Sequence, residues 1–154
     1  MATAGFDARV LALPRGSAER ALPVYRAAVP SGPGAIIGGQ SFGGRVASLL
    51  AAEDDGVAGL ILMCYPLHPP GRPERAAERM AHWQRIHCPV LLLSGDRDPF
   101  ARVELLRDAV RSLQRAELHV YAGVGHGLRS VMRDVTERAV DFARRLPPPV
   151  HSVQ

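Results

Sequence analysis

Residues 35–48 read AIIGGQSFGGRVAS: an apolar run, a serine with a glycine two positions away on either side, then residues suited to the first turns of a helix. Read as strand, one-residue turn and helix, the stretch forces Ser41 into a strained backbone conformation and projects its side chain from the C-terminal edge of a sheet. Its neighbours must then be small. Gly39 and Gly43 are assigned that requirement, because a larger Cβ at either would collide with the opposing backbone, while Gly44 and Ala47 let the helix lie close to the strand. Two rival turns use the same glycines. A dinucleotide turn needs G-x-G-x-x-G, but positions 38, 40 and 43 are Gly, Gln and Gly, and positions 39, 41 and 44 are Gly, Ser and Gly. A nucleotide P-loop needs a lysine, and the chain has none. An ordinary strand-to-helix turn without chemistry is the remaining alternative.

Outward from this turn, five apolar runs read as strands: ARVLAL (8–13), GAIIG (34–38), GLILMCY (59–65), PVLLLSG (89–95) and AELHVYAG (116–123). The middle runs are nearly continuous in apolar residues rather than alternating, which predicts strands covered on both faces, as in a parallel sheet. Helices are predicted over 17–29, 43–53, 73–85, 103–113 and 130–146. In the fourth, Val103, Leu106, Val110 and Leu113 recur at spacings of three and four with charged residues between them, the pattern of a surface helix. Strands alternating with helices predict an α/β fold, a parallel sheet with helices on both faces and right-handed crossovers. One domain over 1–146 is expected, ended by the prolines at 147–149, with 147–154 a proline-rich tail.

A serine hydroxyl is a poor nucleophile at neutral pH and needs an imidazole to accept its proton and a carboxylate to orient that imidazole. PVLLLSGDRDPF carries Asp96 and Asp98 just past one strand, and HVYAGVGHGL carries His126 just past the next. Parallel strands present their C-terminal ends on one edge, so Ser41, Asp98 and His126 are expected to converge there, in an order that matches Ser, acid, His. Asp98 is preferred as the acid because the chain has room to turn toward the histidine; Asp96 is read as the turn-former. A capping role for Asp98 and a merely solvated His126 are the alternatives. Tyr65 and His68, in the YPLHPPG that follows the third run, fall on the same edge and are read as lining a substrate pocket. His82, His87, His119 and His151 are read as structural or solvated.

Cys64 closes one predicted strand and Cys88 opens the next, so they are expected about 15 Å or more apart and unable to form a disulfide. A metal site built from Cys64, His68 and Cys88 is discounted for the same reason and for want of a fourth ligand. The net charge of +4 comes from arginines dispersed among acidic residues, with no basic block, which argues against nucleic acid as a partner. No apolar run reaches the roughly 18 residues of a membrane span, and the first residues do not form a secretory leader, so a cytoplasmic location is expected.

The segments GGQSFGGRVAS, GLILMCYPLHPPGRPER, PVLLLSGDRDPF and GVGHGL together resemble a bacterial group of α/β hydrolases related to dienelactone hydrolases. Animal relatives of that group include a testis-expressed protein and a subunit of a chromatin acetyltransferase complex. The resemblance runs from about residue 8 to 146, and YPLHPPG is its most specific element. It implies a serine hydrolase acting on a small-molecule ester, with Ser41, Asp98 and His126 as triad, the Phe42 amide in the oxyanion hole, and no cofactor. A homo-oligomer is left open as a partner. In the group an additional strand with an HGAG-like loop precedes the segments found here. The resemblance therefore implies a gap near 10 Å between ARVLAL and GAIIG, and the loss of one oxyanion donor. Four outcomes are open: the sheet closes differently, another chain fills the slot, ARVLAL leaves the sheet, or the recorded start is wrong. A noncatalytic scaffold that binds a protein partner, and a pocket that binds a small molecule without turnover, are the rival functions.

Overall fold

Four of the five apolar runs pair as strands in the computed structural model, which describes residues 5–30 and 33–147. Ala35–Gln40 (β1), Val57–Met63 (β2), Val90–Gly95 (β3) and Ala116–Tyr121 (β4) form one all-parallel sheet in the order β1-β2-β3-β4. Strands laid down in sequence order with helices between them put every C-terminal end on the same edge.

Each face of the sheet has its own core. On β3, Val90 and Leu92 join the core built with α1 (Ala18–Ala28), α2 (Phe42–Ala51), α3 (Ala76–Met80) and α4 (Val103–Val110). Leu91 and Leu93 point the other way and meet Val135 and Phe142 of α5 (Met132–Arg145). Every residue of β3 is buried, which explains why its sequence lacks alternation. Ser17 caps α1 by accepting from the Arg20 amide, and Glu19 stands in the first turn, where an acid favours the helix dipole.

Residues 8–13 do not form the expected strand. Val10 is fully exposed and Leu11 is also exposed; only Leu13 packs against the core. An apolar run makes a strand only where a neighbouring backbone completes its ladder. The outward-facing edge of β1 is instead occupied by a side chain: the Tyr25 hydroxyl donates to the Gly38 carbonyl at 2.7 Å and accepts from the Gly38 amide at 3.0 Å. ARVLAL thus lies outside the sheet.

The helix expected over 73–85 is broken into Pro73–Arg75, Ala76–Met80 and Trp83–Arg85, the first and last being single 3₁₀ turns. A continuous helix would hand the Arg79 carbonyl to the Trp83 amide. Here that carbonyl accepts from the Tyr65 hydroxyl at 2.6 Å and from Arg45 at 3.2 Å, and the Trp83 ring turns inward against Tyr65. The helix α4 stops at Val110, where the Ser112 hydroxyl takes the Ala109 carbonyl, and α5 is preceded by a 3₁₀ turn over Arg129–Val131. Of the predicted proline-rich tail, residues 148–154 lie outside the described residues.

Ser48 and His82 form a buried polar pair beneath α2. The Ser48 hydroxyl donates to the Arg45 carbonyl and lies 2.8 Å from His82 Nε2, so that nitrogen carries the hydrogen of the second bond. Burial, then Arg45 and Arg85, pushes His82 down to about 4. The unfolded chain therefore takes up a proton before the folded one as pH falls, and the contribution of this neutral imidazole, present above pH 6.5, is lost between there and about pH 4. The loss is on the order of 3 kcal/mol at most. Urea unfolding at neutral pH and near pH 4.5 should register it, and His82→Gln, which cannot be protonated, should show a smaller drop.

Candidate active site

Ser41 is the single residue between β1 and α2, with φ 49° and ψ -115°, a backbone conformation that costs a non-glycine residue about 1–3 kcal/mol. It is held from both sides: its amide donates to the Met63 carbonyl at 2.8 Å and its carbonyl accepts from the Arg45 amide at 3.1 Å. The turn closes because β1 and α2 touch backbone to backbone. A Cβ on Gly39 would lie against the Gly43 carbonyl carbon and 2.7 Å from the Gly44 nitrogen; one on Gly44 would come within 2.8 Å of the Gly39 oxygen. The close approach is thus between Gly39 and the Gly43–Gly44 peptide. A Cβ on Gly43, expected to collide as well, would meet nothing within 4 Å.

The ends of β3 and β4 are tied together before their side chains meet. Asp96 donates its amide to the Tyr121 carbonyl and accepts the Gly123 amide on Oδ1, and the Arg97 amide reaches the Val124 carbonyl at 3.0 Å. Val124 crosses directly over Gly95, where any side chain would strike its carbonyl oxygen. Beyond these ties the chain brings His126 to Asp98. Nδ1 of His126 lies 2.9 and 2.8 Å from Oδ1 and Oδ2 of Asp98, and Nε2 lies 2.8 Å from Ser41 Oγ. With the carboxylate accepting at Nδ1, that nitrogen carries the proton and Nε2 is free to accept from the serine. The Asp98 side chain is fully buried, whereas that of His126 is 27% exposed.

Phe100, missed by the sequence reading, supports both partners. Its amide donates to Asp98 Oδ1 at 2.8 Å, and its ring lies 4.5 Å from the imidazole at 42°. The signal was available in Asp98-Pro99-Phe100, since an aspartate commonly accepts from the amide two residues on.

The two residues read as pocket lining have other partners. Tyr65 is buried, its ring on Trp83 and its hydroxyl on the Arg79 carbonyl. His68 is also buried: Nδ1 meets the Pro69 carbonyl at 2.8 Å, Nε2 accepts the Arg102 amide at 2.9 Å, and its own amide donates to the Phe100 carbonyl. Both ring nitrogens are spent on backbone, so His68 staples the loop after β2 to the loop that carries Asp98. Phe42 opens α2, and its amide is one of the first-turn donors that a helix leaves unpaired.

Cys64 Sγ, an Asp98 oxygen and a His126 nitrogen lie within 4.8 Å of one another. A metal ion there would need a thiolate and would separate Asp98 from His126. Burial, and after it the Asp98 carboxylate, instead pushes the Cys64 thiol up to about 12, so this set fits a cation poorly. His68 and Cys88 do not join Cys64: His68 is engaged as above, and Cys88 precedes β3 at the opposite edge; both thiols are free.

A groove of about 540 Å³ beside β4 and α5, lined in part by Glu117, His119, Arg138 and Arg145, includes none of the three converging residues. Arg138 is paired with Asp134 and Arg145 with Glu117 there, which leaves these two guanidinium groups already neutralised. No helix among the described residues is long and apolar enough to cross a membrane.

Residues 18–145 match the family described as an alpha/beta hydrolase domain. The chain belongs to that family. Solved α/β hydrolase structures share its fold. A predicted CIB-like hydrolase from Thermoplasma acidophilum superposes with a TM-score of 0.69 at 20% identity, over 85% of this chain and 61% of that one. The monoacylglycerol lipase of Paleococcus ferrophilus gives 0.72 at 14% identity, over 83% and 75%. An esterase from Pyrococcus furiosus gives 0.60 at 16% identity, over 72% and 53%. This α/β hydrolase domain thus spans about three-fifths of the Thermoplasma protein's length.

The glycine contact gives a paired test by urea unfolding. Gly39→Ala should lose about 2 kcal/mol or more, because rigid backbone meets the added methyl. Gly43→Ala, in open space on α2, should be neutral or gain up to about 1 kcal/mol.

Proposed function

We propose that this α/β hydrolase domain is a serine hydrolase acting on a small-molecule ester. The observation that carries the reading is the unbroken hydrogen-bonded chain from Ser41 Oγ through His126 to a buried Asp98. The resemblance to the group related to dienelactone hydrolases supports an ester rather than another acyl substrate.

In this mechanism His126 Nε2 takes the Ser41 proton as Oγ attacks the ester carbonyl carbon. The carbonyl electrons move onto oxygen, where the Phe42 amide donates to the developing charge. Asp98 stabilises the imidazolium through Nδ1. The tetrahedral species collapses as the carbon–oxygen bond to the alcohol breaks and His126 returns the proton to the departing oxygen. Water, deprotonated by the same Nε2, then releases the acid and restores Ser41. The strained turn favours this chemistry, since it presents Oγ and the Phe42 amide together at the head of α2.

A noncatalytic scaffold for a protein partner is the second reading, supported by the exposed Val10 and Leu11. A fluorophosphonate probe separates the two. The hydrolase should be labelled at Ser41, with labelling abolished in Ser41→Ala and reduced roughly 1,000-fold or more in His126→Ala. A folded protein that the probe leaves untouched would overturn the hydrolase reading.

A further inference from the structure

The Asp98 carboxylate is short of donors. A carboxylate offers about four acceptor positions on two oxygens, and a charged oxygen held away from water is costly unless it is hydrogen-bonded. The Asp98 side chain has no exposed surface. Oδ1 accepts the Phe100 amide at 2.8 Å, and the single Nδ1 proton of His126 is shared between Oδ1 and Oδ2. Oδ2 therefore has only part of one hydrogen.

Cys64 stands beside the carboxylate. The residue directly follows β2, is fully buried, and brings its sulfur within 4.8 Å of both the carboxylate and the imidazole. Its amide donates to the Leu93 carbonyl at 2.8 Å, which pins it near the end of β3, three residues before Asp96 begins the acid-bearing turn. Its φ is 48°, in the left-handed region that glycine enters freely and a cysteine does not. Among the described residues only Ser41, Cys64 and Leu128 combine a side chain with positive φ. Glycine would relieve that strain and leave a void under Asp98; cysteine accepts the strain and supplies a polar hydrogen there. The thiol remains protonated, since burial and the neighbouring carboxylate both oppose its ionisation.

We propose that Cys64 is a positioning residue of the triad: its S–H donates to Asp98 Oδ2, completes the solvation of the buried carboxylate and fixes the rotation that turns both oxygens to His126 Nδ1. Its bearing on hydrolysis rests on the reading of Ser41 as nucleophile; the thiol contact itself does not.

Three replacements test it. Cys64→Ser keeps a donor, Cys64→Ala removes it at similar backbone cost, and Cys64→Gly removes it while relieving the strain, so that a folded protein is secured. The first readout is the low-field proton resonance of His126 Nδ1–H, which reports the imidazole–carboxylate bond whether or not the protein turns over an ester. It should shift alike in Cys64→Ala and Cys64→Gly and return toward the wild-type position in Cys64→Ser. The second is the hydrolysis rate of an activated acetate ester: about a tenfold loss for alanine and glycine, and a loss within about threefold for serine. A resonance unchanged in all three variants, or a serine variant no closer to wild type than alanine, overturns the proposal. A wild-type protein without labelling or turnover would instead defeat the hydrolase reading, and the resonance would still decide the thiol's role.

Discussion

Backbone contact between Gly39 and Gly44 is the constraint on which the candidate site depends. Two peptide segments can lie this close only where no Cβ intervenes, and Ser41, in the turn between them, has a positive φ. Strain at one residue persists when its surroundings over-determine it. Here the surroundings are a strand paired with β2 on one side and, on the other, a helix whose Val46, Ala47 and Leu50 are wholly inaccessible to solvent. The hydroxyl is presented at the sheet edge, 2.8 Å from His126 Nε2.

Parallel pairing carries the same order across the edge. The Ser41 amide is bound by the Met63 carbonyl, the Cys64 amide by the Leu93 carbonyl and the Asp96 amide by the Tyr121 carbonyl. Each strand's exit is fastened to the next, so the loops leave from fixed points. The His68 staple and the passage of Val124 over Gly95 add cross-ties above them. Catalytic geometry needs side chains held to a fraction of an ångström, and a site whose loops are bonded to one another meets that requirement better than one resting on side-chain packing alone.

Several buried polar groups take part in bonds that shape the backbone around them, although Trp83 Nε1 and Ser94 Oγ, also buried, have no hydrogen-bond partner among the described residues. The Arg79 carbonyl interrupts a helix to accept Tyr65 and Arg45; the Tyr25 hydroxyl closes part of a sheet edge; Asp98 gathers an imidazole and a backbone amide. Desolvation makes such groups expensive when unpaired, so their partners bend the chain toward them even where local propensity points elsewhere.

The amino-acid sequence by itself determined the parallel α/β class, the positions of β1 to β4 and the residues available for nucleophile, base and acid. Continuous apolar runs and glycines around Ser41 are local signals, readable within a few neighbouring residues. Tertiary structure decided the rest. Residues 8–13 have a strand's composition but no strand beside them, and 73–85 has a helix's composition but a carbonyl wanted elsewhere. His68 and Tyr65 lie on the edge the sequence indicated, yet their polar atoms turned to backbone groups distant in the chain. Cys64 acquired its place beside Asp98 only when β2 and β3 came together. Propensity and spacing act between near neighbours in sequence, whereas a ladder partner, a hydrogen-bond partner or a backbone collision comes from a segment that only folding brings near.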